Sequence, residues 1–254
     1  MRYLVMLITM FWLQNAVAFN FQNHRVICHM AYKQLSLEAQ HSIDQVVGDR
    51  FQSFAQACAW PDQIRKQARY EHTKYWHYIN VPRNTVTVTR QHCPTRGCLF
   101  TGIEQSQKKL LKNNADLESL LFLSHFIGDL HQPMHVSYAD DRGGNHRRLI
   151  HKGKPTNLHA LWDGALFKRT PWYNHSEALM QRVTPLEVEQ WQQGSLEDWA
   201  TETLVLTQDA YRLLGKSNGV SSGYVEHFVP QLEQKMMQAS VRLAQILEDL
   251  YGAH

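Results

Sequence analysis

The chain has 254 residues, of which 43% are hydrophobic, 11% aromatic and 19% charged. That is enough sequence for one large buried core, and it excludes a wholly disordered or fibrous protein. A formal charge of +3, from 26 basic and 23 acidic residues, is too mild by itself to indicate a nucleic-acid partner. The outlying count is 15 histidines, the side chain most used as a metal ligand and proton carrier near neutral pH.

Residues 1–18 read as a secretory signal peptide. Arg2 precedes the apolar run Leu4–Leu13, which is too short to span a bilayer, and Ala16-Val17-Ala18 offers a small-x-small cleavage site. The mature domain, 19–254, is then expected to begin at Phe19 and to act as a monomer in the periplasm or the medium. No later stretch is apolar enough for a transmembrane helix. The four cysteines suit an oxidising compartment and allow three pairings. Cys93 and Cys98 bracket a Pro/Gly turn, so a local bridge is expected there, and Cys28–Cys58 follows by elimination.

In chain order, apolar residues at three- and four-residue spacing predict helices over 24–35 and 36–48. The segment 84–89 (NTVTVT) reads as a strand. Asp116 is placed to cap a strongly apolar helix that Pro133 stops. A short hairpin is expected near 147–153, inside a basic loop carrying Arg142, Arg147, Arg148, Lys152 and Lys154. Thr184 to Glu187 forms a capping box with Pro185 at the first helical position, and Ser195 opens another helix. Residues 224–250 have the pattern of a long amphipathic closing helix. With no repeat and no Ser/Gly linker, the expected fold is all-α: one mainly helical domain with at most a minor β-hairpin.

The apolar helix carries His125 and Asp129 at i,i+4, on one face a turn apart, and His131 and His135 follow directly. One histidine in such a helix is more often a satisfied core residue. His125, Asp129 and His135 within eleven residues instead favour a metal site, because a carboxylate there is costly unless paired or metal-bound. His159 and Asp163 in NLHALWD repeat the i,i+4 spacing. Histidine and carboxylate ligands without cysteine suit zinc sites that keep an open, catalytic position. Asp62 and Arg65 in AWPDQIR, and His77 in YWHYINVP, are further candidates.

The ordered series of a signal peptide, a histidine six residues into the mature chain, AWPDxIR, WHYIN.P, HFIGDLHQPMH, GGN and NLHALWD resembles the zinc-dependent S1/P1 nuclease family. These are secreted single-strand nucleases and 3′-nucleotidases, in a superfamily with bacterial zinc phospholipase C. The match runs from Phe19 to Asp163. The resemblance implies three Zn²⁺ ions in a trinuclear cleft. One would be held by Asp62, His77, His125 and Asp129. A second would share Asp129 and take His24 with the amino nitrogen and carbonyl oxygen of Phe19, where the family usually has Trp. The third would be held by His135, His159 and Asp163. It further implies cleavage of single-stranded RNA and DNA, and of 3′-nucleotides, with 5′-phosphorylated products from the nucleic acids. Asp62 would orient the nucleophile and Arg65 would stabilise the phosphoryl transition state. Tyr78, Asn80 and Asn145 would contact substrate, while Gly143 and Gly144 serve backbone geometry. Two alternatives remain: a zinc phospholipase C, whose last ligand pair is typically His-xxx-Glu rather than His159-xxx-Asp163, and a non-enzymatic exported zinc-binding protein.

Overall fold

A computed structural model describes residues 21–167 and 170–253. The predicted signal peptide and Phe19 lie outside the described residues.

Helix α6 (Leu117–Leu130) is the axis of the fold. All of its residues except Glu118 are buried, as expected of a helix apolar on every side. Asp116 caps it, its carboxylate accepting from the Ser119 N–H. Around it pack α1 (Phe21–Lys33), the short α4 (Trp60–Ile64), α5 (Leu99–Leu110), α10 (Leu196–Leu214) and α11 (Ser222–Tyr251). Helices α2 (Leu37–Val47), α3 (Phe54–Ala57), α8 (Trp172–Met180) and α9 (Pro185–Trp191) complete the shell. The capping boxes at Thr184 and Ser195 form as their sequences require. The architecture is the expected single helical domain.

Two small sheets interrupt it. Strand β1 (Ile79–Val81) pairs in parallel with β2 (Val136–Tyr138), with Ile79 opposite Val136. Each strand follows a candidate ligand, His77 or His135, so this pairing sets the two ligand-bearing segments side by side. The second sheet is the expected hairpin, displaced slightly: β3 (Arg148–His151) against β4 (Lys154–Asn157). Lys152 and Gly153 at its tip both have positive φ, as a tight two-residue turn demands.

The strand expected at 84–89 is not formed. A turn bonds the Thr85 N–H to the Pro82 carbonyl, and Val86 is exposed. The segment is instead tied to α10 by side chains: Thr201 Oγ1 accepts from the Val88 N–H, and Gln208 Nε2 donates to the Thr85 carbonyl. Strand propensity does not make a strand where the backbone groups are bonded elsewhere.

Candidate metal centre

Four separate segments deliver ligand-type side chains to the wall of α6. His24 comes from α1, Asp62 from α4, His77 from the turn before β1, and His125 and Asp129 from α6 itself. All five are buried. His135, in the 3₁₀ turn Pro133–His135, and Asp163, in the π-helical turn Leu161–Ala165, are buried too, and His159 on α7 (Leu158–Ala160) is nearly so.

These side chains sort into three groups whose ligand atoms lie within 4.8 Å of one another: His24, His125 and Asp129; Asp62, His77 and His125; and His135, His159 and Asp163. Asp129 stands between the first two. Its Oδ1 is 3.4 Å from His24 Nε2, while its Oδ2 is 3.4 Å from His125 Nε2 and 2.9 Å from His77 Nδ1. In the third group, Asp163 Oδ2 is 3.3 Å from His159 Nε2 and Oδ1 is 3.6 Å from His135 Nε2. Most of these separations exceed a hydrogen bond. They match the roughly 3.3 Å between donors set tetrahedrally around zinc at about 2.0–2.1 Å.

The unmet polar atoms point the same way. Both Asp62 oxygens and Nε2 of His77, His125 and His135 are buried without a hydrogen-bond partner among the described residues. An unsatisfied buried polar atom costs about 1–3 kcal/mol, so five together need a cation or a proton network. The residues present fit zinc.

Backbone carbonyls choose the tautomers. The Nδ1–H of His125 donates to the Cys58 carbonyl at 2.9 Å, that of His135 to the His77 carbonyl at 2.7 Å, and that of His159 to the Gly143 carbonyl at 2.8 Å. Each bond leaves the Nε2 lone pair facing its group, the orientation that ligation requires. Burial holds the His125 and His159 rings below the usual imidazole pKa, which keeps them neutral. Burial raises the Asp62 carboxyl, against the pull of nearby His24 and His77.

The remaining site candidates fall around this centre. Arg65 is half-exposed, with Nη1 3.8 Å from Asp62 Oδ1. Tyr78, Asn80 and Asn145 line a cleft of about 820 Å³ that also reaches His159. Gly143 has φ +62°, and a Cβ there would sit 2.5 Å from the Met134 carbonyl oxygen, so glycine is required. The bridges Cys28–Cys58 and Cys93–Cys98 are both formed. The first ties α1, which carries His24, to the residue whose carbonyl orients His125. Arg147 is occupied elsewhere, donating to Asn218 Oδ1 and to the Gly215 and Ser217 carbonyls.

Several contributors were not read from the sequence. The buried Gln132 donates through Nε2 to Asp163 Oδ1 and accepts from the Met134 N–H, fixing the third group's carboxylate. Lys74, Tyr75, His92, Arg96 and His146 also line the cleft. Among these, the sequence signal that was available is Arg96 itself, a cation inside a tight Cys-x4-Cys loop.

A family model described as S1/P1 Nuclease matches residues 21–252. The chain belongs to the S1/P1 nuclease family. It is 26% identical to Endonuclease 2 of Arabidopsis thaliana over 98% of both chains. To Nuclease S1 of Aspergillus oryzae it is 23% identical over 89% of both, and to Nuclease P1 of Penicillium citrinum 29% identical over 55% of both. The protein is thus a hydrolase with nuclease activity, and its buried His/Asp groups have the composition of a metal centre. Among the described residues no helix is long and apolar enough to cross a membrane.

Proposed function

We propose that the protein is an exported zinc-dependent phosphodiesterase that hydrolyses single-stranded RNA and DNA to 5′-phosphorylated products and removes phosphate from 3′-nucleotides. The observation that carries this reading is the continuity of the cleft: Tyr78, Asn80 and Asn145 line the same hollow as His159 of the third group. Three zinc ions are assigned: to Asp62, His77, His125 and Asp129; to Asp129, His24 and the terminal amine and carbonyl of Phe19; and to His135, His159 and Asp163. Zinc, when bound, lowers the pKa of water and neutralises phosphate charge.

The chain's own residues do the rest. Asp62 holds the attacking water through its carboxylate. Arg65 donates to the phosphoryl oxygens as their charge develops, which a guanidinium suits. Tyr78 offers its ring to a base and Asn80 an amide to the base's edge. A base must leave its stack to enter, which favours single strands. The cleft adjoins the third group, so the nucleotide seated there is the one whose O3′ leaves. The α-amine of Phe19 exists only after signal cleavage, so maturation completes the second site.

Digestion of single-stranded RNA, single-stranded DNA, duplex DNA and phosphatidylcholine, with and without a chelator, tests the reading, alongside elemental analysis and intact mass. Single strands should be cut, duplex and lipid spared, and the chelator should stop the reaction. Turnover of phosphatidylcholine instead would transfer the protein to the phospholipase reading. A fully active enzyme with one zinc would overturn the trinuclear assignment, as would a mature chain starting elsewhere for the Phe19 ligand.

A further inference from the structure

We propose that Arg96 makes the cleft prefer guanine or cytosine over adenine and thymine on the nucleotide whose O3′ leaves. This rests on the nuclease reading of the cleft and adds the identity of the base.

Arg96 sits between Cys93 and Cys98, whose bridge closes a loop with a sequence separation of five. A turn inside it, from the Gly97 N–H to the Pro94 carbonyl at 2.8 Å, narrows the loop's freedom further. The guanidinium lies over the Tyr75 ring, 4.2 Å from its centroid. Among the described residues no carboxylate comes within ion-pair range of Arg96. A planar cation is therefore held at the cleft by a bridge and an aromatic face, with its N–H donors left for a ligand.

A guanidinium has donors and no acceptor. Guanine presents two adjacent acceptors, N7 and O6, that match its fork, and an unpaired cytosine presents two as well, N3 and O2. Adenine places the N6 donor between its acceptors N7 and N1, and thymine or uracil places N3–H between its two carbonyls, so neither offers an adjacent pair. The donor beside that pair, guanine N1–H or cytosine N4–H, needs an acceptor, and Asn145 in the same lining carries one. Its Nδ2 donates to the Arg142 carbonyl at 2.8 Å, which leaves Oδ1 to accept. Tyr78 supplies the stacking face, which does not discriminate among bases. Selection then falls to the hydrogen-bonding edge.

The test uses the zinc-loaded mature enzyme on oligo-thymidine decamers carrying one dG, dA or dC at the fifth position, with the all-thymidine decamer as reference. Cleavage is mapped bond by bond, so each strand holds its own control. The bonds 3′ to dG and to dC should be cut about 5- to 150-fold faster than the equivalent bond after dA or dT, the range of one good bidentate contact. Arg96→Ala should bring that ratio within about twofold. Equal cutting after all four bases by the parent enzyme overturns the inference. So does a preference for guanine and cytosine that survives in Arg96→Ala. No cleavage of any decamer overturns the nuclease reading itself, and this inference with it.

Discussion

Asp129 is the residue on which most of the centre converges. Burial opposes its charge, yet His135 and His125 hold its carboxyl well below the usual carboxylate range. If it bridges two cations, Asp129→Asn leaves them close together and uncompensated. The variant should lose zinc and activity together. Arg65→Ala should keep its zinc and lose turnover by roughly two to three orders of magnitude, the usual effect of removing one transition-state donor. Zinc content and single-strand nuclease rate, measured on both variants, separate the roles. Gly143 acts at one remove, because its carbonyl orients His159. An alanine there meets both a positive φ and the Met134 carbonyl, a strain of about 1–3 kcal/mol. Displacing that carbonyl should weaken metal binding at the third group about 10- to 100-fold. Zinc titration of Gly143→Ala, with circular dichroism to confirm an intact fold, is the check.

At the scale of elements, α11 is clamped to the ligand-bearing chain through a buried cation. Arg242 donates to the Trp191 carbonyl at 2.8 Å and to both Glu202 oxygens at 3.0 and 2.9 Å. Its Nη1 also lies 2.9 Å from His131 Nε2, and the ring's Nδ1–H donates to the Ile127 carbonyl. His131 is thus neutral, an acceptor for Arg242 and no metal ligand, although it sits between Asp129 and His135 in sequence. Arg242→Met should cost about 2–3 kcal/mol. That is less than the 3–5 typical of a broken buried pair, because the Glu202 side chain is 41% exposed and rehydrates. Urea unfolding of the zinc-loaded protein measures it. The sequence was legible here for caps and periodicity: Asp116, Thr184 and Ser195 open helices as predicted. It was not legible for Arg242, which reads as an ordinary helix-surface charge until α10, α9 and α6 close around it. The 84–89 segment failed in the opposite sense, with strand-forming residues whose backbone groups are bonded to α10 side chains instead.

For the whole molecule, the stability profile in alkali should carry the mark of another buried cation. Burial, with help from Arg242, lowers the Lys235 ammonium to about 8, although Glu202 pulls it upward. The unfolded lysine titrates near 10.4. Between these values the unfolded chain binds more protons than the folded one, so the Lys235 contribution to stability rises with pH from about 8 to 10.4. Burial raises the pKa values of Tyr211, Tyr224 and Tyr251, so above pH 10 the unfolded chain releases those protons first and the trend reverses. Unfolding free energy measured across pH 7.5–10 should therefore rise in the parent, and more shallowly in Lys235→Met. A parent profile no steeper than the variant's would remove Lys235 from this account.

What the sequence determined by itself is local. The apolar periodicity of α6, its cap, and the two His-xxx-Asp pairs are set within a few residues, because four-residue spacing places side chains together on one helical turn. Even there the second pair is carried by a π-helical turn after α7, with the i,i+4 relation preserved. What only the tertiary structure decided is which distant segments meet. The chain folds His24, Asp62 and His77 against α6 from three other elements, and lends the carbonyls of Cys58, His77 and Gly143 to three imidazoles. It also brings Gln132 to Asp163 and Arg96 to the cleft. These contacts depend on packing between segments far apart in the chain, and backbone carbonyls carry no side-chain identity from which such a role can be read.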